Sequence, residues 1–483
     1  MASDASHETR EDIPLKSGGR QKSWNCSSCF SGDDCLGGSR LVSTSFGVLS
    51  VVITFALLLQ IYYGDYQVVP HGSVASDSRE CSEIGTATLK KGGNAADAAI
   101  ATAFCLAVVN PHFTGLDAEG QFMIYNHRTR DPPQVITFRR NVNTKIAEIL
   151  PRLVIGLSYI HQQHASMTWR QLLEPAILLA QRGFFIPKSL ALAIDTANVQ
   201  SLYGHLEAGQ FAKITPKLAE TLQSYADIAE EDLRSYITLE NTPTSSTALC
   251  SKLNEFNICV PNAPSIGPEL LMNMQRIGQN NFTKMAAVQD AEYYYHIGET
   301  TKLLYEDLNI TSNYHEGTSS NIAVIDKDDN YVSLVTGMFQ LFGSRELNPA
   351  GYITDVKTSV NIACSRVPII VTDAEVVCGR RLILGANNIA TASQVLSGLL
   401  IAGNNVTTGV EIPRFNLFND GSVGFEDDHN PSFPDEVVGH FEKLGRQVHI
   451  KEPYGSCNVV EKMADTLSSH SDSRGGGISS RFR

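Results

Sequence analysis

Apolar and polar residues alternate in two neighbouring stretches, "SNIAVID" and "NYVSLVTGM", which are separated by a short polar turn. A period of two is typical of half-buried strands, so we predict a hairpin here. The same alternation occurs in "RVPIIVTDAEVVCGRRLILG" and, much earlier, in "QFMIYNHR" and "PQVITFRR". The pattern therefore predicts at least three pairs of strands.

Helical periodicity dominates between these sets of strands. The stretch from Asn94 to Val109 is rich in alanine, almost wholly apolar and followed by Asn110-Pro111, which predicts a buried helix that ends there. Further helical patterns occur in "SYIHQQH", "WRQLLEPAILLAQRGF", "LAETLQSYADI" and "ATASQVLSGLLIAG". Helices and strands grouped in this way predict an α/β fold, with sheets sandwiched between helical layers.

Residues 41–63, "LVSTSFGVLSVVITFALLLQIYY", contain no charged side chain. Their length matches the roughly 20 residues that cross a bilayer as a helix, and a mostly polar stretch of 40 residues precedes them, unlike a cleaved signal peptide. Arg40, Lys22 and Arg20 come before this segment, whereas the first basic residue after it is Arg79. The positive-inside rule then predicts a type II membrane protein whose bulk faces the secretory lumen or the cell exterior.

Composition limits the class of partner. The formal net charge is −13, and no long run of Lys or Arg occurs, so we expect no nucleic-acid partner. Residues 1–40 are rich in Ser, Gly and Asp and are predicted to form a disordered cytosolic tail. A small molecule or a protein remains as the expected partner, with the membrane bound through residues 41–63.

The cysteines and sequons fit an oxidising, lumenal side. Seven of the ten cysteines follow the anchor, an odd number, so at least one is free or paired between chains. Asn281, Asn309 and Asn405 each begin an N-x-T sequon and are candidate glycosylation sites. His161 and His164 in "HQQH" lack a carboxylate or Cys partner at ligand spacing, so we predict a helix surface there and no metal site.

Several stretches together resemble the gamma-glutamyltransferase family, also called glutathione hydrolases. The strongest is "KKGGNAADAAIATAFCLAVVNPHFTGLDAEG", and the likeness continues in "ITFRR", "WRQLLEPAILLAQRGF", "VPNAPSIGPELL", "LFGS" and "DSRGGG". The anchor is most similar to that of the glutathione hydrolase 7 branch. The resemblance implies the four-layer αββα sandwich of the amino-terminal-nucleophile hydrolases, no cofactor, and a disulfide between Cys81 and Cys105.

The resemblance also implies a nucleophile. Family members are made as one precursor, in which a Thr attacks the carbonyl before it and then begins the small subunit, with its own amine as the general base. Thr318 matches that Thr, and a register without a gap places Ser319 there instead. Gly317 suits the attack, because a residue without Cβ leaves its carbonyl open. The alternative is an ordinary turn whose hydroxyls cap backbone groups.

Three substrate-binding residues follow from the same resemblance. Arg139 matches the Arg that pairs with the α-carboxylate of the substrate, a task that suits a guanidinium. Ser365 is the retained half of a Ser-Ser pair near that carboxylate. Asn388 lies where the family has the Gly-Gly whose amides form the oxyanion hole.

Other support residues differ from the family pattern. The family's Thr-x-Asn beside the nucleophile falls on Gly337 and Phe339. The two carboxylates that bind the α-ammonium fall on Lys357 and Val360, unless Asp355 substitutes from a shifted register. Losing one oxyanion donor already costs on the order of 100- to 1000-fold in rate.

The sequence therefore predicts a membrane-anchored family member with weak or lost catalysis, a pseudoenzyme-like ectodomain. The alternative is an active, self-processing hydrolase or transferase of gamma-glutamyl peptides such as glutathione that uses Thr318. We expect a tail at residues 1–40, an anchor at 41–63, a large-subunit-like region at 64–317 and a small-subunit-like region at 318–483.

Overall fold

The computed structural model describes residues 34–63, 71–139, 150–214, 216–237, 242–279, 291–308, 314–315, 317–356, 363–418 and 420–482. The chain forms two units, Met1–Gln67 and Val68–Arg483, and each is described by itself.

The first unit contains one long helix, α1 (Asp34–Tyr63). Its segment Val42–Leu59 has a mean hydropathy of 2.2 and exposed side chains, which fits a single-pass membrane anchor. The helix begins inside the stretch that we predicted as a tail, because backbone hydrogen bonding continues past the end of the apolar segment. Hydropathy marks the apolar part of a helix and not its full extent.

The second unit carries the remaining elements. Its helices are α2 (Arg79–Lys90), α3 (Ala95–Val109), α4 (Arg152–His164), α5 (Trp169–Arg182), α6 (Lys188–Thr196), α7 (Gln200–Tyr203), α8 (Pro216–Ala226), α9 (Glu230–Ser235), α10 (Gly267–Gly278), α11 (Ala291–Asp307), α12 (Ile389–Leu396), α13 (Val406–Val410) and α14 (Asp435–Phe441), with a π-helical turn at Ser397–Ile401.

The strands of this unit are β1 (Gly72–Ala75), β2 (Glu119–Asn126), β3 (Gln134–Phe138), β4 (Phe184–Phe185), β5 (Phe211–Ala212), β6 (Thr244–Thr247), β7 (Leu249–Leu253), β8 (Phe256–Val260), β9 (Tyr314–His315), β10 (Ser320–Ile325), β11 (Asn330–Gly337), β12 (Ala363–Cys364), β13 (Val367–Asp373), β14 (Arg381–Ala386), β15 (Phe415–Leu417), β16 (Val423–Glu426), β17 (Gln447–Ile450), β18 (Val459–Met463), β19 (Thr466–His470) and β20 (Ser480–Phe482).

Two large sheets organise the second unit. Sheet one has the strand order β20-β1-β10-β11-β2-β3-β6, and sheet two has the order β19-β18-β14-β13-β8-β7. In sheet one the hairpin β10–β11, from the expected small-subunit-like region, lies between β1 and β2 of the large-subunit-like region. The two regions are therefore interleaved within one compact unit.

Three hydrophobic clusters show that the sheets and helices form four layers. Ile322 and Val324 of β10 pack with α3 and α5 on the outer face of sheet one. Ala323 and Ile325, the alternate residues, pack against Ile383 of sheet two in a separate cluster between the sheets. A third cluster buries the outer face of sheet two under α10, α11 and α12. The predicted αββα sandwich is confirmed, and the period of two explains how one strand serves two layers.

Helix α3 is central to the outer layer of sheet one. Asn94 caps it by accepting a hydrogen bond from the amide of Asp97 at 3.0 Å, while the Asp97 carboxylate accepts one from the amide of Asn94 at 2.8 Å. This capping box satisfies two backbone donors that the helix leaves unpaired. All residues of α3 are buried, as its continuous apolarity predicts.

A buried polar network joins the first strand of the unit to its carboxy-terminal segment. Asp77 accepts hydrogen bonds from Ser456 Oγ and Asn458 Nδ2, both at 2.6 Å, and Asn458 Nδ2 also donates to the Asn321 carbonyl at 2.9 Å. Asp472 lies 2.8 Å from the Arg414 guanidinium. We call Asp77, Asn321, Ser456, Asn458, Asp472, Arg414 and Arg474 the Asp77 network. It connects segments from both ends of the unit.

Cysteine pairing and one sequon can be placed in the structure. A disulfide joins Cys81 of α2 to Cys105 of α3, and a second joins Cys250 to Cys259 across β7 and β8. Among the described side chains, Cys378 is an exposed free thiol and Cys457 is a buried one. Asn405 is exposed and caps α13. Asn281 and Asn309 lie outside the described residues.

Candidate functional site

The candidate site lies at one end of sheet one. Ser320 of β10 pairs with Thr336 of β11, Gly337 at the end of β11 pairs with Glu119, and Gly120 pairs with Phe138. Because neighbouring strands are antiparallel, the start of β10, the end of β11, the start of β2 and the end of β3 meet at the same edge. Thr318, Glu119 and Arg139 are therefore brought to one place.

Thr318 is half-buried just before β10, and backbone groups hold its hydroxyl. Its Oγ1 donates to the Phe113 carbonyl at 2.8 Å and lies 3.2 Å from the Met338 carbonyl. Its amide donates to the same Met338 carbonyl at 2.9 Å. Gly317 has φ of +56°, a left-handed conformation that favours glycine. The hydroxyl is thus fixed against two carbonyl oxygens, which accept a hydrogen bond but are poor proton acceptors.

Ser319, the nucleophile in the alternative register, is in a different environment. It is 2% exposed, and its Oγ has no hydrogen-bond partner among the described residues. Thr318 therefore has the more accessible hydroxyl, whereas Ser319 has the less restrained one.

A cluster of charged side chains adjoins Thr318. Glu119 lies 3.4 Å from Arg152, 3.7 Å from Arg139 and 3.9 Å from Arg366, measured between carboxylate oxygen and guanidinium nitrogen. Arg366 Nε also donates to the Thr318 carbonyl at 3.4 Å. We call Glu119, Arg139, Arg152 and Arg366 the Glu119 cluster. Three guanidinium groups surround one carboxylate, and one of them contacts Thr318, so the cluster is suited to a further anionic group such as a carboxylate.

Two aspartates complete this environment. Asp355 accepts hydrogen bonds from the amides of Phe339 and Val356 at 2.9 and 2.8 Å, and Asp117 accepts one from the amide of Asp355 at 2.9 Å. Burial raises the pKa of Asp355 to about 6, although these amides and Arg366 oppose the rise. Asp355, which we considered as a substitute ammonium ligand, is 7% exposed and bonds to backbone in the described part of the chain.

Gly337, which the family resemblance aligns with a threonine, leaves no space for a side chain. A Cβ added there would lie 1.8 Å from the Thr318 carbonyl oxygen and 2.9 Å from Arg366 Nε. A hydroxyl-bearing residue at position 337 is therefore incompatible with this conformation of Thr318. The Thr336 hydroxyl, one position earlier, is instead bonded to the Thr114 hydroxyl at 2.9 Å.

The remaining predicted residues are placed as follows. Arg139 is 22% exposed by side chain and belongs to the Glu119 cluster. Ser365 is buried next to Arg366. Asn388 is also buried, and its side chain caps α12 by accepting from the Thr391 amide at 2.7 Å. Lys357 and Val360 lie outside the described residues.

Sequence reasoning did not find Glu119, Arg152 or Arg366. A signal for two of them is visible in hindsight. Glu119 is a carboxylate at the start of a strand that is otherwise apolar, and Arg366 directly follows the Cys364-Ser365 pair. Arg152 gave no such signal, because its burial depends on how α4 packs against sheet one.

The predicted helix-surface position of the "HQQH" histidines is wrong for His161. This residue is 7% exposed, and its Nε2 lies 2.9 Å from the Met167 carbonyl. The α5 residue Trp169 packs edge-on against its ring at 5.4 Å, and this contact buries it. Within the described part of the chain, no group of three or more His, Cys, Asp or Glu side chains is arranged to hold a metal ion.

Comparison with known proteins gives the class of fold first. The structure resembles the cephalosporin acylase from Bacillus halodurans with a TM-score of 0.69 and 16% identity, over 86% of this chain and 96% of that one. It also resembles the protein named LmbA2991HD with a TM-score of 0.65 and 14% identity, over 86% and 98% of the two chains. The four layers thus have the fold of the amino-terminal-nucleophile hydrolases.

Sequence comparison gives the family. The family model described as gamma-glutamyltranspeptidase matches residues 81–149 and 146–213. Glutathione hydrolase 7 of Homo sapiens is 25% identical over 77% of this chain and 72% of that protein. Scoloptoxin SSD14 of Scolopendra dehaani is 27% identical over 54% of this chain and 55% of that protein. Residues 81–213 therefore match the gamma-glutamyltranspeptidase family model, and about three quarters of the chain is similar in sequence to glutathione hydrolase 7.

Proposed function

We propose that this protein is a membrane-anchored family member with weak or lost catalysis, whose ectodomain keeps the fold as a binding or regulatory surface. The observation that carries the proposal is the packing of Gly337 under the Thr318 carbonyl, 1.8 Å from where a Cβ would lie. The nucleophile then lacks a side-chain hydroxyl at the place where the family has one, and a transition-state contact is missing.

The environment of the Thr318 hydroxyl supports the same proposal. Its Oγ1 donates to the Phe113 carbonyl instead of facing a side chain that would accept its proton. Attack on the Gly317 carbonyl requires this hydrogen bond to break and the proton to leave. Phe339, at the family's Asn position, gives its backbone amide to Asp355 and has an apolar side chain.

The second candidate is an active hydrolase or transferase of gamma-glutamyl compounds such as glutathione. Two observations favour it: Gly317 leaves its carbonyl sterically open, and Arg139 lies in the Glu119 cluster, where a substrate carboxylate would be attracted. In this alternative Ser365 lies near the same carboxylate, and the amides at Asn388 and Ile389 bind the oxyanion.

The orientation in the membrane is part of the proposal. With α1 as the anchor, the basic residues before it place the amino terminus in the cytosol and residues 68–483 in the lumen or outside the cell. The two disulfides in this unit are compatible with an oxidising compartment.

A denaturing, reducing gel of the purified full-length protein tests the proposal. We expect one chain of 52.6 kDa plus any glycans. Two fragments with a new amino terminus at Thr318 or Ser319 would contradict it. In that case Thr318→Ala and Ser319→Ala, made separately, identify the nucleophile, because only the variant that lacks it stays intact. Release of glutamate from glutathione by the wild type then measures the remaining activity.

A further inference from the structure

A cavity of about 230 Å³ lies outside the candidate site, between β16, β17 and the start of α14. It is smaller than the roughly 300–1,000 Å³ of pockets that hold drug-sized ligands, so its volume suits a molecule of amino-acid size. None of its lining residues belongs to the Glu119 cluster or contacts Thr318.

One wall of the cavity is apolar and firmly packed. Phe425 and Phe433 meet edge to face at 5.7 Å, and Phe433 also meets Tyr294 at 5.0 Å. Val438 of α14 and Pro413 extend the apolar surface. A hydrophobic side chain of a ligand would replace water against this wall.

Arg414 contributes a buried donor to the lining. The residue is 2% exposed, and its Nη2 donates to the Val410 carbonyl at 2.7 Å and pairs with Asp472 at 2.8 Å. Its Nε is buried and has no acceptor among the described residues. Leaving a buried donor unpaired costs about 1–3 kcal/mol, so this N–H points to an acceptor that the protein does not itself provide.

Asp435 contributes a negatively charged carboxylate, opposite in charge to Arg414. It is exposed at the cavity, and in the described part of the chain its side chain makes no hydrogen bond or ion pair. The other charged groups of the lining are already engaged: Asp427 with His449 at 2.6 Å, Glu426 with Arg474 at 2.6 Å, and His429 with the Glu411 carbonyl at 3.2 Å.

We propose that this cavity binds a free amino acid with a large apolar side chain. Its ammonium group pairs with Asp435, and its side chain lies against Phe425 and Phe433. Its carboxylate accepts from Arg414 Nε after a local shift that exposes this atom, which is closed to solvent in this structure. Such a ligand uses the unpartnered donor, the unpaired carboxylate and the apolar wall at once. The inference does not depend on whether the Gly317-Thr318 bond is cut.

The test uses the full-length protein in lipid nanodiscs, with L-phenylalanine as the probe and empty nanodiscs as the blank. Isothermal titration calorimetry should show saturable binding. Two analogues each lack one charge: phenethylamine has no carboxylate, and 3-phenylpropionate has no ammonium group. We expect each to bind about tenfold more weakly, the effect of one charge-assisted hydrogen bond. Equal binding of all three compounds, or no saturation up to about 10 mM, would overturn the proposal.

Variants then locate the binding. Asp435→Asn should weaken L-phenylalanine about tenfold and leave 3-phenylpropionate unchanged, because that analogue has no ammonium group for Asp435 to pair with. Asp428→Asn is the matched control, an exposed carboxylate nearby that does not line the cavity, and should change neither. Retention of full L-phenylalanine affinity by a folded Asp435→Asn protein would place the binding elsewhere and reject the assignment.

Discussion

The Asp77 network is a buried group of polar side chains and the Glu119 cluster is a partly buried one, and they are built differently. In the network, charged and polar atoms meet at short distances, such as 2.6 Å from Asp77 to Asn458 and 2.8 Å from Asp472 to Arg414. In the cluster, Glu119 lies 3.4 to 3.9 Å from its three arginines. Closely paired buried charges stabilise one arrangement, whereas the three contacts between Glu119 and its arginines are longer and individually weaker.

The same contrast separates the stretches on which the family resemblance rests. Asp472, Arg474 and Gly477 of "DSRGGG" belong to or pack against the Asp77 network, and a Cβ on Gly477 would lie 1.9 Å from the Ser76 carbonyl. The stretch "VTGMF", which departs from the family pattern, borders Thr318 instead. The motif that matches the family packs in the Asp77 network, and the stretch that differs from it lies beside the candidate nucleophile.

The largest expected effect comes from breaking the network. Asp472→Asn removes the counter-charge of Arg414 and Arg474 at a fully buried position, so the free energy of unfolding should fall by about 3–5 kcal/mol. Urea unfolding of the purified protein measures this change. Asp420→Asn, which removes the exposed pair with Arg446, is the control and should have no measurable effect. A small loss of stability in Asp472→Asn would contradict the view that the Asp77 network holds together the segments from the two ends of the unit.

The second prediction compares Asp77 of the Asp77 network with Asp355, which lies beside the Glu119 cluster. Burial raises the pKa of Asp77 and of Asp355 to about 6 from 3.8. Between these values the folded protein holds protons that the unfolded chain releases, so the free energy of unfolding falls as pH rises from about 4 to 6. Each group should contribute about 3 kcal/mol over the whole transition, from about two pKa units at 1.36 kcal/mol each, of which about 2 kcal/mol is lost between pH 4.5 and 7.

Unfolding experiments at pH 4.5 and 7 on Asp77→Asn and Asp355→Asn measure the two contributions. Each variant should lose less stability than the wild type over that interval. If the pH dependence of the unfolding free energy is unchanged in one variant, the aspartate replaced in it is better solvated than its burial indicates. The surroundings of Asp77 and of Asp355 would then differ in solvation as well as in contact distances.

The third prediction concerns the backbone beneath Thr318. Gly337→Ala places a methyl group against the Thr318 carbonyl, so we expect a loss of about 1–3 kcal/mol by overpacking and a shift of the 317–319 segment. Gly439→Ala is the control, since Gly439 lies in α14 with open space around it and should gain about 0.5–1 kcal/mol. Thermal unfolding distinguishes the two. Equal tolerance at both positions would show that the Thr318 carbonyl is free to move.

The smallest effect is expected within the cluster. Glu119→Gln keeps the shape of the side chain and removes its charge, and because its contacts with the three arginines are 3.4 Å or longer, we expect a loss of only about 1 kcal/mol. Thermal unfolding of Glu119→Gln and Asp472→Asn under the same conditions shows which variant loses more stability. If Glu119→Gln proved as costly as Asp472→Asn, the distinction between a loose site and a rigid network would fail.

The sequence predicted the fold because its signals are local. The alternation in β10 and β11 and the capped apolar run of α3 each lie within a few residues, and both elements occur where the pattern placed them. The site was predicted only in part. Thr318 and Arg139 followed from the family resemblance, but Glu119, Arg152 and Arg366 come together only through strand register and helix packing. His161 was misplaced for the same reason, since its burial depends on a contact with Trp169.

The interleaved strand order of sheet one determines whether the fold depends on cleavage before Thr318. Because β10 and β11 are hydrogen-bonded to β1 on one side and β2 on the other, breaking the chain before Thr318 would detach nothing. The hydrogen bonds of sheet one do not depend on an intact peptide bond before Thr318. Self-cleavage can therefore be lost or regained in evolution without a change of fold. A family member that has lost it would keep the same surface for binding other molecules.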